Sequence, residues 1–480
     1  MVNAKPDFRA RAMVLLLAAL MLSAAAWNRG AEYDEQYTLF VTAGTPRPVW
    51  PQVAFPAGEV VALQAGRAGP VTIALDLRRT DVHPPLYFWA AAVWRAAVGQ
   101  GLFAVRLLSL LCGLGTLVAV GMVARRCAIP PATAMLLTLG CYGFAYTAVI
   151  ARGFALAQFL ALAGLVAVLS GRRILAGFML GGAVATNYLA VFVALAVAMG
   201  AWRNPWRVCV GFSAGAAAAA WFFIAQRDSR GGQFPPFELL PALLRLARYG
   251  AATLTGGLPL YVPEAAQMAV SGCIAVGLVS VAGMVVWRWR RAALPEARYL
   301  LVAAALAPPL GLLLLGLVFD NTPIELRYLS FAAPFIALLV ASTRPNRLVL
   351  AAIFIVQAAS LSGLIGSPET MQPARATAIA AIPWVGEGAV LLPRGSDGVG
   401  IVGAFAGAVP PETLLLVAGH QETADSIRRR LAPFRRVVLA SLAQDNDSRA
   451  ALPAMEAALR APGWREIGRG FNVIAYQRVD

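Results

Sequence analysis

Apolar runs of roughly 15–22 residues recur along this chain, separated by short arginine-bearing segments, and they limit what it can fold into. A helix rises about 1.5 Å per residue, so each run can cross a hydrocarbon core of about 30 Å. The runs fall at 12–27, 107–124, 131–150, 154–170, 174–187, 188–202, 206–225, 267–287, 298–319, 328–342 and 347–365. Only 13% of the 480 residues are charged and 59% are hydrophobic, which excludes a soluble enzyme. The expected fold class is a polytopic α-helical membrane protein.

One further apolar run, 85–98, decides the topology. If it spans, then Arg125-Arg126, Arg172-Arg173 and the Arg288/Arg290/Arg291 cluster all fall outside, against the positive-inside rule. If it lies along the membrane surface, these clusters land inside, together with Arg203, Arg207, Arg344 and Arg347. Its composition agrees, because Tyr87, Trp89, Trp94 and Arg95 are interfacial residue types. The expectation is about eleven spans with the N-terminus inside and the C-terminus outside. Loop 28–106, the turn around Arg152, loop 226–266, the turn 320–327 and the tail then lie outside.

The formal charge of +16 does not point to nucleic acid, since the arginines are spread between spans as topology requires. Cys112, Cys127, Cys141, Cys209 and Cys273 lie in or beside the apolar runs, and no CxxC or Cys/His spacing suggests zinc. Polar segments without thiols fit an extracytoplasmic, oxidising side. The first run could be a signal peptide, with Ser23–Ala26 as a cleavage-like patch, or a retained helix. Retention is favoured because the motif that follows needs an anchor at the membrane surface. The tail changes period: 389–392, 413–417, 436–440 and 472–476 read as strands, and 421–431 and 447–460 as helices. The expected organisation is a transmembrane domain, 1–367, and a small extracytoplasmic α/β domain, 368–480.

Two motifs flank the first outer loop. Tyr33-Asp34-Glu35-Gln36-Tyr37 follows the first span, and an acid held there can take a proton from an incoming hydroxyl or amine, bind a cation, or simply be solvated. Tyr33 and Tyr37 read as interface anchors. Asp81-Val82-His83-Pro84-Pro85-Leu86-Tyr87 closes the loop, and the prolines fix an extended lead into an aromatic helix. Asp320 and Glu325 read as a solvated turn, His420 as a surface histidine, and Gln233–Phe237 as a flap.

This ordered set resembles the GT-C superfamily of membrane glycosyltransferases, in its protein-O-mannosyltransferase-like and aminoarabinose-transferase-like branch, which includes bacterial relatives that decorate lipopolysaccharide cores. Further matches follow in order: Leu102–Ser109 at the start of the second span, Ala151-Arg152-Gly153-Phe154 with Phe where Tyr is usual, Asn187-Tyr188 where His-Tyr is common, and Arg327-Tyr328-Leu329 followed by Pro334. The likeness covers residues 12–345.

The resemblance implies inverting transfer of a sugar from a polyprenyl-phosphate-linked donor to a lipid, glycan or protein acceptor on the outer face of the cytoplasmic (inner) membrane. It implies Asp34 as the base that deprotonates the acceptor, with Glu35 assisting. His83, Arg152 and Arg327 would bind the donor phosphate, and Asp81, Tyr87 and Tyr328 the substrate. No cofactor is expected. A divalent metal could sit among Asp34, Glu35 and Asp81, but metal-dependent relatives carry extra acids in the second outer turn, and none flanks Arg152. The rival reading is a multi-pass transporter or lipid flippase, for which internal repeats and mid-depth charges would be the signature.

Overall fold

The computed structural model describes residues 4–201, 205–226, 234–257, 261–289, 295–367, 372–443 and 445–479. The chain divides into two compact units. One comprises Met1–Asn28, Leu77–Ala90 and Val105–Ser367, and the other Arg29–Asp76, Ala91–Ala104 and Pro368–Asp480.

The first unit is a multi-pass helical body. Among the described residues, six helices are long and apolar enough to cross a membrane, within Ala4–Asn28, Leu102–Arg126, Pro205–Ala225, Glu264–Trp289, Pro295–Phe319 and Arg347–Gly366. The first is packed into this unit, accepting a hydrogen bond at Ala26 O from the buried Arg106 (2.8 Å) and donating one from Asn28 Nδ2 to Ile365 O (2.6 Å). The other expected spans are shorter or broken helices, and the breaks have polar causes. Run 131–150 is two helices, Pro131–Gly140 and Tyr142–Ala148, because Cys141 is extended. Gln357 fills the gap, donating to Leu137 O at 3.2 Å; a Cβ on Gly140 would stand 2.1 Å from its Oε1. Asn187 ends Arg173–Thr186 in extended conformation and accepts from Leu189 N at 3.0 Å before Ala190–Ala198 begins.

Helices Arg173–Thr186 and Pro205–Ala225 run parallel in backbone contact. A Cβ on Gly177 would lie 2.2 Å from Val208 O, and one on Gly215 2.3 Å from the Gly181 carbonyl carbon. Small residues allow this approach inside a membrane, where apolar burial between helices gives little drive. The contact brings the C-terminal ends of both helices to the same level. Helix Leu86–Val98 has 13 residues, so it reaches only about 20 Å and is short for a span.

The second unit is built on one six-stranded sheet. Its strands are β1 (Phe55–Pro56), β2 (Ala389–Pro393), β3 (Leu414–Ala418), β4 (Arg436–Ala440), β5 (Trp464–Gly470) and β6 (Val473–Arg478), in the order β1-β3-β2-β4-β6-β5. β3, β2 and β4 are parallel, and their near-continuous apolar sequences reflect burial on both faces. Helices Ala424–Leu431 and Asn446–Arg460 cover Leu391, Leu416 and Leu439 through Ile427, Met455 and Leu459. The hairpin strand β5 was not expected, since its exposed polar residues carry no apolar alternation.

Residues 29–76 and 91–104 cluster with the tail rather than with the membrane body. The reason is pairing: β1 adds antiparallel to the edge of β3, and Trp50 stacks on Phe55 (5.6 Å) while donating to Gly398 O at 2.6 Å. Tyr33 and Tyr37 are buried inside this unit and are not interface anchors; a Cβ on Gly400 would meet Tyr33 Cβ at 2.5 Å.

Candidate functional site

Pro84 and Pro85 are buried and lead directly into helix Leu86–Val98, so the residues before them are held extended or turned. That geometry brings Asp81 Oδ1 to 3.1 Å from His83 Nδ1. Asp81 is 8% exposed, and its Oδ2 is buried with no hydrogen-bond partner among the described residues. Burial by itself would raise the Asp81 carboxyl, but the His83 charge and hydrogen bond, the Arg152 guanidinium and the Val82 N–H outweigh it. They hold the group below the ordinary carboxylate value.

Arg152 comes from the turn between Tyr142–Ala148 and helix Phe154–Leu169, and it is buried. Its Nη2 lies 3.2 Å from each ring nitrogen of His83, over the ring rather than along one lone pair, and its guanidinium carbon is 5.8 Å from the Phe88 ring. Buried Tyr87 packs against this turn: a Cβ on Gly153 would approach Tyr87 Cβ to 3.2 Å.

Arg327 lies on the short helix Leu326–Leu329, its Nε 2.7 Å from Glu325 Oε2 and its guanidinium over the Tyr328 ring at 5.3 Å. Phe154, two residues after Arg152, packs at a tilt against Tyr328 with ring centroids 6.0 Å apart, and Tyr328 lies within electrostatic reach of Arg152, Arg327 and Glu325. Glu325 is therefore no solvated turn residue. Its burial pushes it up to about 7, against the pull of Arg245. Asp320 is also engaged, accepting from Phe237 N at 3.1 Å in a left-handed conformation (φ 46°). The expected flap at 233–237 is tied to this turn through Pro235 O and Thr322 N at 3.0 Å, while Gln233 lies outside the described residues.

A cavity of about 550 Å³ opens beside these groups. Phe192, Phe212, Phe223 and Phe319 form its walls, and it follows helix Pro205–Ala225 from Phe212 to Phe223, about 16 Å at helical rise. His83, Asn187, Asn321 and Tyr328, contributed by turns and the short helix, supply its polar lining. An apolar cavity lined by His83 and Tyr328, which are themselves in contact with Arg152 and Arg327, suits an anionic head on a long apolar tail.

Sequence reasoning missed two glutamines. Gln158, buried within Phe154–Leu169, donates to Thr147 Oγ1 (3.0 Å) and Ser330 Oγ (2.9 Å), and Ser330 Oγ donates to Arg327 O (2.6 Å). It ties the helix after Arg152 to the turn after Arg327. Gln226 plays a similar part under His83. Their signal was a buried-type amide inside or just after an apolar run, which membrane positions seldom carry without a partner.

Asp34 and Glu35 belong to the second unit. Asp34 is in the first turn of helix Tyr33–Ala43 and is the only residue of that helix not buried. Glu35 is fully buried, and its Oε2 accepts from Glu32 N at 2.9 Å in a capping box, while Glu32 pairs with Arg29 at 2.8 Å. Among the described residues, no group of three or more His, Cys, Asp or Glu side chains is placed to hold a metal ion.

No family model and no curated protein matches this sequence. Solved structures do match the fold. ArnT from Cupriavidus metallidurans in the apo state aligns with TM-score 0.56, and the same protein bound to undecaprenyl phosphate with 0.53, each at 12% identity over 98% of both chains. The chain shares the fold of these ArnT structures over nearly its whole length.

Proposed function

We propose that this protein transfers a sugar, with inversion, from a polyprenyl-phosphate-linked donor to a lipid, glycan or protein acceptor on the outer face of the cytoplasmic membrane. The observation that carries the reading is half-buried His83 held between buried Asp81 and Arg152 beside an apolar cavity about 550 Å³ in volume. The fold neighbour bound to undecaprenyl phosphate supports the same donor class.

In the proposed reaction the acceptor hydroxyl loses its proton to Asp34 and its oxygen attacks the anomeric carbon. The bond from that carbon to the phosphate oxygen breaks, and the polyprenyl phosphate departs with the electron pair. Arg152, Arg327 and the imidazole of His83 stabilise the growing phosphate charge in a low-dielectric setting. Asp81 holds His83 through Oδ1, and its other oxygen is available to a substrate hydroxyl. Tyr87 and Tyr328 shape the sugar side of the site, and the tail lies along Phe212 and Phe223. Glu35 acts by fixing the helix that carries Asp34. No step requires a metal.

The test is transfer of label from a polyprenyl-phosphate sugar series in proteoliposomes. Transfer by the wild type that is abolished in Asp34→Asn supports the reading. Full activity of that variant on the identified substrates would remove Asp34 as the base. Vectorial transport of the donor without transfer would instead favour a flippase.

A further inference from the structure

Gln226 follows directly on helix Pro205–Ala225 and is fully buried. Its Nε2 donates to Leu77 O at 2.8 Å and to His83 O at 3.1 Å, and its Oε1 accepts from Tyr188 OH at 2.8 Å. Every donor of the amide is used, and its carbonyl is engaged. The two carbonyls it holds bracket the segment that carries Asp81, so one side chain sets where that segment begins and where it delivers His83.

The third bond leads elsewhere. Tyr188 stands on the cavity wall, its ring in edge contact with Phe223 at 5.4 Å, and Phe223 meets Phe319 edge-on at 6.1 Å. An occupant of the cavity therefore presses on the ring whose hydroxyl holds Gln226, and Gln226 holds the His83 carbonyl. The parallel glycine-packed helices place Tyr188 and Gln226 at one level, so the relay is short and rigid.

We propose that Tyr188 and Gln226 are positioning residues that couple filling of the apolar cavity to the placement of the Asp81–His83 pair. The tail of the lipid donor thereby prepares the site for its own phosphate. This rests on the reading that the cavity takes a polyprenyl tail. Tyr188 deletes cleanly to Phe, which keeps the wall and removes only the hydroxyl. Gln226→Glu keeps the size but turns the donor towards the two carbonyls into an acceptor.

The experiment uses the full-length protein in nanodiscs with two probes, undecaprenyl phosphate and undecaprenol, which share a tail and differ in the head. In the wild type, undecaprenol slows amide hydrogen exchange in residues 78–85. In Tyr188→Phe that protection disappears, and the preference for phosphate over alcohol falls roughly fivefold, about what one neutral hydrogen bond is worth, while undecaprenol affinity holds. Gln226→Glu shows the same loss of preference. A merely structural role would lower the melting temperature or weaken both probes equally, and that result overturns the proposal. So does an unchanged preference in both variants. If the wild type binds neither probe, it is the donor reading that fails first.

Discussion

Asp81 Oδ1 stands 3.1 Å from Nδ1 of His83, and this contact decides which ring nitrogen faces a ligand. A carboxylate on Nδ1 keeps a proton there, and Arg152 lies over the ring at 3.2 Å from both nitrogens. Nε2 is then the edge that can address an incoming group. Asp81 is short of partners on its second oxygen, so the pair is built to receive something polar.

Replacing His83 by Ala is expected to weaken undecaprenyl phosphate binding roughly tenfold, as for one hydrogen bond to a charged phosphate, while His83→Lys retains most of it because a donor to the phosphate remains. Binding measured in nanodiscs checks this; equal loss in both variants would show that shape rather than charge is read.

Asp34→Asn is expected to lower turnover by about 10²–10⁴-fold, the usual worth of a general base, with membrane insertion and melting temperature near wild type. Chelator treatment is expected to leave wild-type transfer unchanged. Activity lost with chelator and restored by one specific metal would replace the proposed base chemistry.

Glu325 titrates near 7 because burial raises it, and its partner 2.7 Å away is Arg327. A raised carboxyl favours the protonated fold, so its contribution to stability is present below its unfolded value and is lost as pH rises through about 7. Below that point Arg327 is released to bind phosphate; above it the ion pair competes. Affinity for the lipid phosphate should thus fall roughly fivefold between about pH 6 and 8, and Glu325→Gln should flatten that part of the profile. A pH profile identical in the variant would assign the dependence to other groups.

Gln158→Leu removes the amide that joins Thr147 and Ser330. Both hydroxyls keep backbone acceptors, at Gly143 O and Arg327 O, so the expected destabilisation is only about 1 kcal/mol. The larger effect should be on phosphate affinity, because Arg152 and Arg327 lose their common tie. Thermal unfolding and binding measured together separate the two effects.

Trp50→Ala is expected to destabilise the sheet unit by about 3–5 kcal/mol, since Trp50 is buried between Phe40 and Phe55 and donates to Gly398 O. Proteolysis should then reach the tail first. An unchanged protease profile would mean that β1 contributes little to the sheet.

The apolar runs and the arginine clusters fixed a multi-pass helical body in advance, because lipid leaves a spanning chain no alternative to satisfying its backbone within helices. Short, near-continuous apolar runs bounded by polar residues gave the parallel strands of the tail away. The motif residues Asp81, His83 and Arg152 were legible one by one as residue types. Their meeting was not, since it depends on a turn after residue 148 and a proline-led helix 65 or so residues earlier arriving together. The partners of the two buried glutamines were likewise out of reach. A buried side chain's distant hydrogen-bond partner is set by which helices pack side by side, and for Gln226 and Tyr188 the packing includes the close glycine contact of Gly215 on Gly181, which no local pattern reveals.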